Sequence, residues 1–398
     1  MKIIFTYVYS LAIFSRFAFG FVQIPGIPFN LGQISYILLL TSCFIVNRKI
    51  LWDKYIGIYA IFILFYFLSS VLTGFEHIFF TVFKKELFIL IPLYWGTKIL
   101  ISQYKTIKPL LIPLIFIGIL SSIVTISQIY HSHFFDTLLQ FMHVHDGERM
   151  AMMERHDLSV GQSMNGIYSS PVLNGHYLLF IFCISLALIR ERITLLRLVP
   201  ILILFVGIFY CQQRSAFLFA VMAVVIFLFV LMKNKIIKTP HLILICTLIL
   251  LVMGNTMIVD DFSESRVSNI NLSDRSQLFE DGIRYVSNNF LIGGLHQFSH
   301  IYGAPPHNTI IGAFMAGGII GGAVLIYMMF AQMNYAYKKC KRHKNILQYV
   351  FMITFIALIG DSMFHNTGYV QGDEATFIVW ALILISYNFK RDENYICK

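Results

Sequence analysis

Charge is the scarcest thing in this chain: of 398 residues only 13% are Asp, Glu, Lys or Arg, while 58% are apolar types. Soluble globular chains carry about a quarter charged residues, so this one cannot cover a water-facing surface. A soluble enzyme, a coiled coil and a disordered chain are excluded together. Cysteine is also sparse, with six in all and none in a C-x-x-C spacing. Neither a disulfide framework nor a cysteine metal site is indicated. The first apolar run, Ile3 to Phe21, lacks a small-residue cleavage site and reads as a retained span rather than a signal peptide.

What is abundant is long apolar runs. A helix needs about 20 mostly apolar residues to cross a bilayer. Runs that qualify start near Ile3, Leu31, Tyr55, Ile78, Pro109, Pro171, Leu196, Ser215, His241, Asn308, Leu347 and Ala375. The expectation is an all-α polytopic membrane protein of about 12 transmembrane helices, one transmembrane domain over 1–398. Basic residues favour the cytoplasmic ends of spans. With the N-terminus inside, Arg48, Lys49 and Lys54 fall on the cytoplasmic side, as do Lys98, Lys105 and Lys108. So do Arg190, Arg192 and Arg197, then Lys233, Lys235 and Lys238, the cluster Lys338 to Lys344, and Lys390, Arg391 and Lys398. Both termini are then cytoplasmic. The net charge of +10 becomes a band facing anionic membrane lipid. No nucleic-acid motif is present.

Lysine is missing from two long stretches on the opposite, outer side, about 128–170 and 259–307. Their basic residues other than histidine are Arg149, Arg155, Arg266, Arg275 and Arg284. Arginine presents a planar fork that grips phosphate or carboxylate in bidentate fashion. Pairing with Asp274, Glu280 and Asp281 is the structural alternative.

Further groups bear on chemistry. Pro305-Pro306-His307-Asn308 opens the tenth span and sets an imidazole beside a helix N-terminus, where it can act as a base. Gly317, Gly318, Gly321 and Gly322 follow as a small-residue face for close helix packing. Cys211-Gln212-Gln213-Arg214-Ser215 is a short outer turn whose arginine lines a polar cavity or snorkels to headgroups. Asp361 closes the eleventh span near the level of His307 and could orient it. Lys84, Lys85 and Glu86 lie in the fourth span as anion or lipid-phosphate contacts. His131, His133, His143, His145 and His156 invite a zinc reading. Alternate residues of a helix point apart, however, and no H-E-x-x-H pattern exists, so no metal site is expected. Asn271-Leu272-Ser273 matches a glycosylation sequon by pattern alone.

Three of these motifs, in order, resemble the O-antigen polymerase and O-antigen ligase superfamily of bacterial membrane glycan transferases. They are Arg214-Ser215-Ala216 at a span start, Arg275 eighteen residues before Gly293-Gly294, and His307-Asn308 followed after nine residues by Gly318-x-x-Gly321. The polymerase- and ligase-like core would be about 196–345. The resemblance implies transfer of an undecaprenyl-diphosphate-linked glycan to an acceptor sugar hydroxyl at the periplasmic face of the bacterial inner membrane. The acceptor is another lipid-linked glycan for a polymerase or the lipid A core for a ligase. His307 would be the base and Arg214 and Arg275 the diphosphate contacts, with Asn308 beside them and no cofactor. Arg266 and Arg284 are added from charge and position, and Asp361, Lys84 and Lys85 as support. An Ile- and Phe-rich, Lys-using composition leans toward polymerase, with a chain-length regulator as a conceivable partner. The competing class is a flippase or transporter of the same lipid-linked glycan. No pair of broken helices is evident between the halves, which counts against it.

Overall fold

The computed structural model describes residues 1–19, 22, 30–47, 54–85, 90–129, 134–135, 137–139, 159–160, 163–168, 170–189, 194–234, 273–343, 346–364, 370 and 373–385. The first helices are α1 (Lys2–Phe19), α2 (Leu31–Val46), α3 (Lys54–Leu72), α4 (Glu76–Lys85), α5 (Ile91–Ser102) and α6 (Lys108–Ile129). Next come α7 (Pro171–Ser185), prolonged by a 3-10 turn over Leu186–Ile189, then α8 (Leu195–Cys211) and α9 (Arg214–Lys233). The last are α10 (Ser273–Asn288), α11 (Leu295–Tyr302), α12 (Thr309–His343), α13 (Ile346–Ser362) and α14 (Glu374–Ile385). A two-residue antiparallel ladder, Ser159–Val160 with Ser163–Met164, precedes α7.

The chain is an all-α, multi-pass membrane protein. Among the described residues α1, α3, α6, α7 with its 3-10 turn, α9 and α12 are long and apolar enough to cross a bilayer. Helices α2, α8, α13 and α14 are shorter and apolar. The bundle is apolar on both faces: Trp380, Tyr94 and Phe180 are buried, while Leu196 is 86% exposed and Phe330 71%. Only a hydrocarbon solvent accepts such an exterior, and helices suit it because each satisfies its own backbone. The expected ninth span, from His241, lies outside the described residues.

Helix starts follow local chemistry. Asn30 and Gln33 form a reciprocal capping box on α2. Ser170 accepts from Leu173 N at the start of α7, with Pro171 at a position whose N–H would have no partner.

The fourth run holds α4 and α5, and residues 86–89 between them lie outside the described residues. Pro92 sits in the first turn of α5, where its missing N–H costs nothing. One expectation is corrected. The tenth run is broken at Gly317 and Gly318, the latter with φ 59° and ψ −162°. The segment 289–294, expected to be part of a free outer loop, docks into that break. Gly294 N donates to Met315 O at 2.6 Å and Ile319 N to Phe290 O at 2.8 Å. A Cβ on Gly318 would collide with the Leu291 carbonyl, so only glycine admits the loop. Gly317 and Gly321 do face a neighbouring helix closely, against Phe65 of α3.

Candidate functional site

Polar and ionisable side chains from five elements meet at one end of the bundle. His176, one turn into α7, has its Nδ1 2.8 Å from Asp361 Oδ2 of α13. Its Nε2 is 3.3 Å from Asp373 Oδ2, just before α14. The other Asp361 oxygen accepts from Ser215 Oγ of α9 at 2.7 Å. Asp373 caps α14, accepting from Thr376 N at 2.7 Å and Thr376 Oγ1 at 3.0 Å. The next residue, Glu374, pairs with Arg16 of α1 at 2.7 Å and accepts from Tyr177 Oη at 2.6 Å. His176, Asp361, Asp373 and Glu374 are all buried. Ionisable groups withdrawn from water in a membrane bundle are expensive unless paired, and here each named group has a partner of opposite character.

The hydroxyls of Tyr36 and Tyr168 are also buried, without a hydrogen-bond partner among the described residues. A second polar group supports the site from the side. Asn174, on the same helix as His176, accepts from Ser121 Oγ at 2.8 Å and donates to Thr125 Oγ1 at 3.0 Å and Met164 O at 3.1 Å. Gln128 exchanges hydrogen bonds with the backbone of Gly166. These contacts fasten residues 164–168 over the ends of α6 and α7.

No model of a known protein family matches the chain, and no curated protein matches it in sequence. The site is therefore read from its own chemistry.

Several residues picked out in the sequence border this cluster. Arg214 is the first residue of α9 and is exposed, while Ser215 beside it is buried on Asp361. Asn308 caps α12, its Oδ1 accepting from Ile310 N and Ile311 N and its Nδ2 donating to Met363 O at 3.1 Å. Thr309 Oγ1 donates to Ser362 O at 2.7 Å. His307, half-buried, immediately precedes that cap. The end of α13 thus gathers the starts of α9 and α12.

Arg284 lies on α10, 73% exposed and 3.9 Å from Asp281, so the acidic neighbour foreseen for the loop arginines is present at long range. Gly282 in the same helix turns toward Ile311 and Pro306, which brings α10 alongside the His307 turn.

Asp361, expected from the sequence to orient His307, is hydrogen-bonded to His176 and Ser215. Gln213, expected to line a cavity, is buried with its Cβ and Cγ against Gly175. Gln212 ends α8 in a left-handed conformation. Lys84 and Lys85 end α4 and Arg275 lies in α10, but their side chains lie outside the description. Arg266, Arg149, Arg155, Glu86, the histidines from His131 to His156, and Asn271 and Leu272 of the sequon lie outside the described residues altogether. No group of metal-ligating side chains occurs among the described ones.

Sequence reasoning passed over Arg16, His176, Tyr177, Asp373 and Glu374. The signal was available for the ionisable ones. Arg16 interrupts the first apolar run, His176 the sixth, and Asp373-Glu374 opens the last. A charge in a span is a functional hypothesis by default.

Near α11 a separate aromatic contact holds the 289–302 segment down. His296 stacks on Tyr66, with ring centroids 5.4 Å apart, and its Nε2 is 2.8 Å from Tyr66 Oη. Burial, aided by the charge of His77, pulls the His296 pKa down to about 4. The neutral ring shares this hydrogen bond with the Tyr66 hydroxyl.

Proposed function

We propose that this protein is a membrane glycosyltransferase. It moves a glycan from an undecaprenyl diphosphate carrier to a sugar hydroxyl at the periplasmic face of the bacterial inner membrane. Polymerisation onto a second lipid-linked glycan is the first reading and ligation to lipid A core the second. The proposal includes about twelve spans with both termini cytoplasmic, which puts the cluster around Asp361 outside.

One observation carries it. Ser215, Asn308 and Thr309, distant in sequence, converge on Asp361, Met363 and Ser362 at the end of one helix, and their chain neighbours are Arg214 and His307. A lipid diphosphate keeps its tail in the bilayer and its charge at the interface, where an exposed arginine at a helix start can meet it. In the proposed step His307 takes the proton of the acceptor hydroxyl. The acceptor oxygen bonds to the anomeric carbon as the carbon–oxygen bond to diphosphate breaks. The leaving diphosphate keeps the electron pair, stabilised by Arg214, with Arg275, Arg284 and Arg266 as further contacts. Asn308 holds the turn that presents His307.

A lipid-linked glycan transporter is favoured by a different observation, the break in α12 at Gly317 and Gly318, since interrupted helices are a transporter device. The test uses the full chain in lipid nanodiscs with one synthetic undecaprenyl-diphosphate repeat unit, with and without lipid A core. The polymerase reading expects a ladder from the lipid-linked unit alone, lost in His307→Ala and weakened at least tenfold in Arg214→Ala. Product only with the core selects ligase. No product with any glycan, together with movement of labelled lipid across proteoliposomes, would sink the enzyme reading.

A further inference from the structure

His176 faces a carboxylate at each ring nitrogen, hydrogen-bonded to Asp361 through Nδ1 at 2.8 Å and within ion-pair distance of Asp373 through Nε2 at 3.3 Å. A neutral imidazole has one N–H and one bare lone pair. If His176 were neutral, one of its two faces would set a nitrogen lone pair against a carboxylate oxygen in a buried place, and that contact would be repulsive. The carboxylates themselves are committed as acceptors. Asp361 accepts from Ser215 through Oδ1 and faces Nδ1 with Oδ2. Asp373 accepts from Thr376 N and Thr376 Oγ1 and faces Nε2 with Oδ2. Asp361 Oδ1 and both Asp373 oxygens accept from Ser215 and Thr376, the pattern of ionised carboxylates, and ionised carboxylates leave the ring to supply the proton on each arm.

We infer that Asp361, His176 and Asp373 form a proton-binding site, in which one bound proton makes His176 an imidazolium that clasps α7 to α13 and to the start of α14. The groups around it are Asp361 and Ser215 on the α13 and α9 sides, Asp373 and Thr376 at α14, and Tyr177 on α7 itself. The Tyr177 ring centroid is 6.0 Å from that of His176. Beyond Asp373, Glu374 is neutralised by Arg16. Withdrawing the proton turns one arm from attraction to repulsion. The longer arm to Asp373 is the one that opens, because Asp373 retains Thr376 while Asp361 is held by Ser215 across the helix interface. The first turn of α14 would then part from α7. This role is independent of what the protein transfers or carries.

The test is nitrogen NMR on full-length protein with ring-labelled histidine in lipid nanodiscs, at about pH 8, where exposed imidazoles are mostly neutral. The ring nitrogens of a doubly protonated imidazole are distinct from those of either neutral tautomer. The expected spectrum contains one doubly protonated histidine, lost in His176→Gln and converted to a single-N–H form in Asp373→Asn. A wild-type spectrum holding only neutral imidazoles overturns the inference without any variant. A doubly protonated signal that survives both substitutions overturns it as well, since the proton then sits on another histidine.

Discussion

At the scale of single residues, His296 and Gly166 show how one side chain, or the lack of one, is set by its surroundings. His296 has a pKa of about 4 against an ordinary 6.5, because burial disfavours its charged form. The unfolded chain therefore takes up the proton first as the medium is acidified. The stability His296 contributes is complete above pH 6.5 and is lost progressively as pH falls toward about 4. Melting temperatures in nanodiscs across that window should fall with pH, and His296→Gln should flatten the slope; an unchanged slope would remove His296 as its source. Gly166 has φ +56°, and a Cβ there would lie 2.5 Å from Ser121 Oγ and 2.7 Å from Asn174 Oδ1. Gly166→Ala should cost about 1–3 kcal/mol from backbone strain and the displaced hydrogen bonds. A denaturation midpoint equal to wild type would contradict this.

Among elements, α12 is the informative one. Its length and glycine content were legible in the sequence, and so was the close approach of Gly317 and Gly321 to a neighbour. The break was not. A glycine at a packed crossing and a glycine at a break carry the same letter, and only the docked Leu291 carbonyl tells Gly318 apart from Gly321. Gly318→Val should expel the 289–294 segment, and hydrogen exchange in α11 should rise at least tenfold. Gly321→Ala, which meets only the side chains of Phe65 at 3.2 Å and Phe62 at 3.7 Å, should leave exchange in α11 near wild type. Equal effects of the two would mean the loop does not depend on the break.

Across the whole molecule, Arg16 and Glu374 join the first helix to the last, 358 residues apart in sequence. Both carry charge in a place largely closed to water, so losing one partner strands the other. Arg16→Ala should destabilise by about 3–5 kcal/mol. Replacing Glu374 with Gln in that background should recover part of the loss, because the stranded carboxylate is gone. Reversible unfolding in mixed micelles would measure both, and additive losses would exclude the pairing.

The sequence by itself determined that the chain is helical and lives in a membrane, because scarce charge and repeated apolar runs leave no other solvent and no other secondary structure. It also placed Arg214, His307-Asn308 and Asp361 at helix ends, since polar residues at the edges of apolar runs have nowhere else to lie. Tertiary structure alone decided that Asp361 meets His176 and Ser215, that Asp373 and Glu374 divide their work between a helix cap and Arg16, and that a connecting loop enters a broken helix. Those are pairings between elements far apart in sequence. No periodicity within one run can encode which carboxylate a buried imidazole will face once the helices pack.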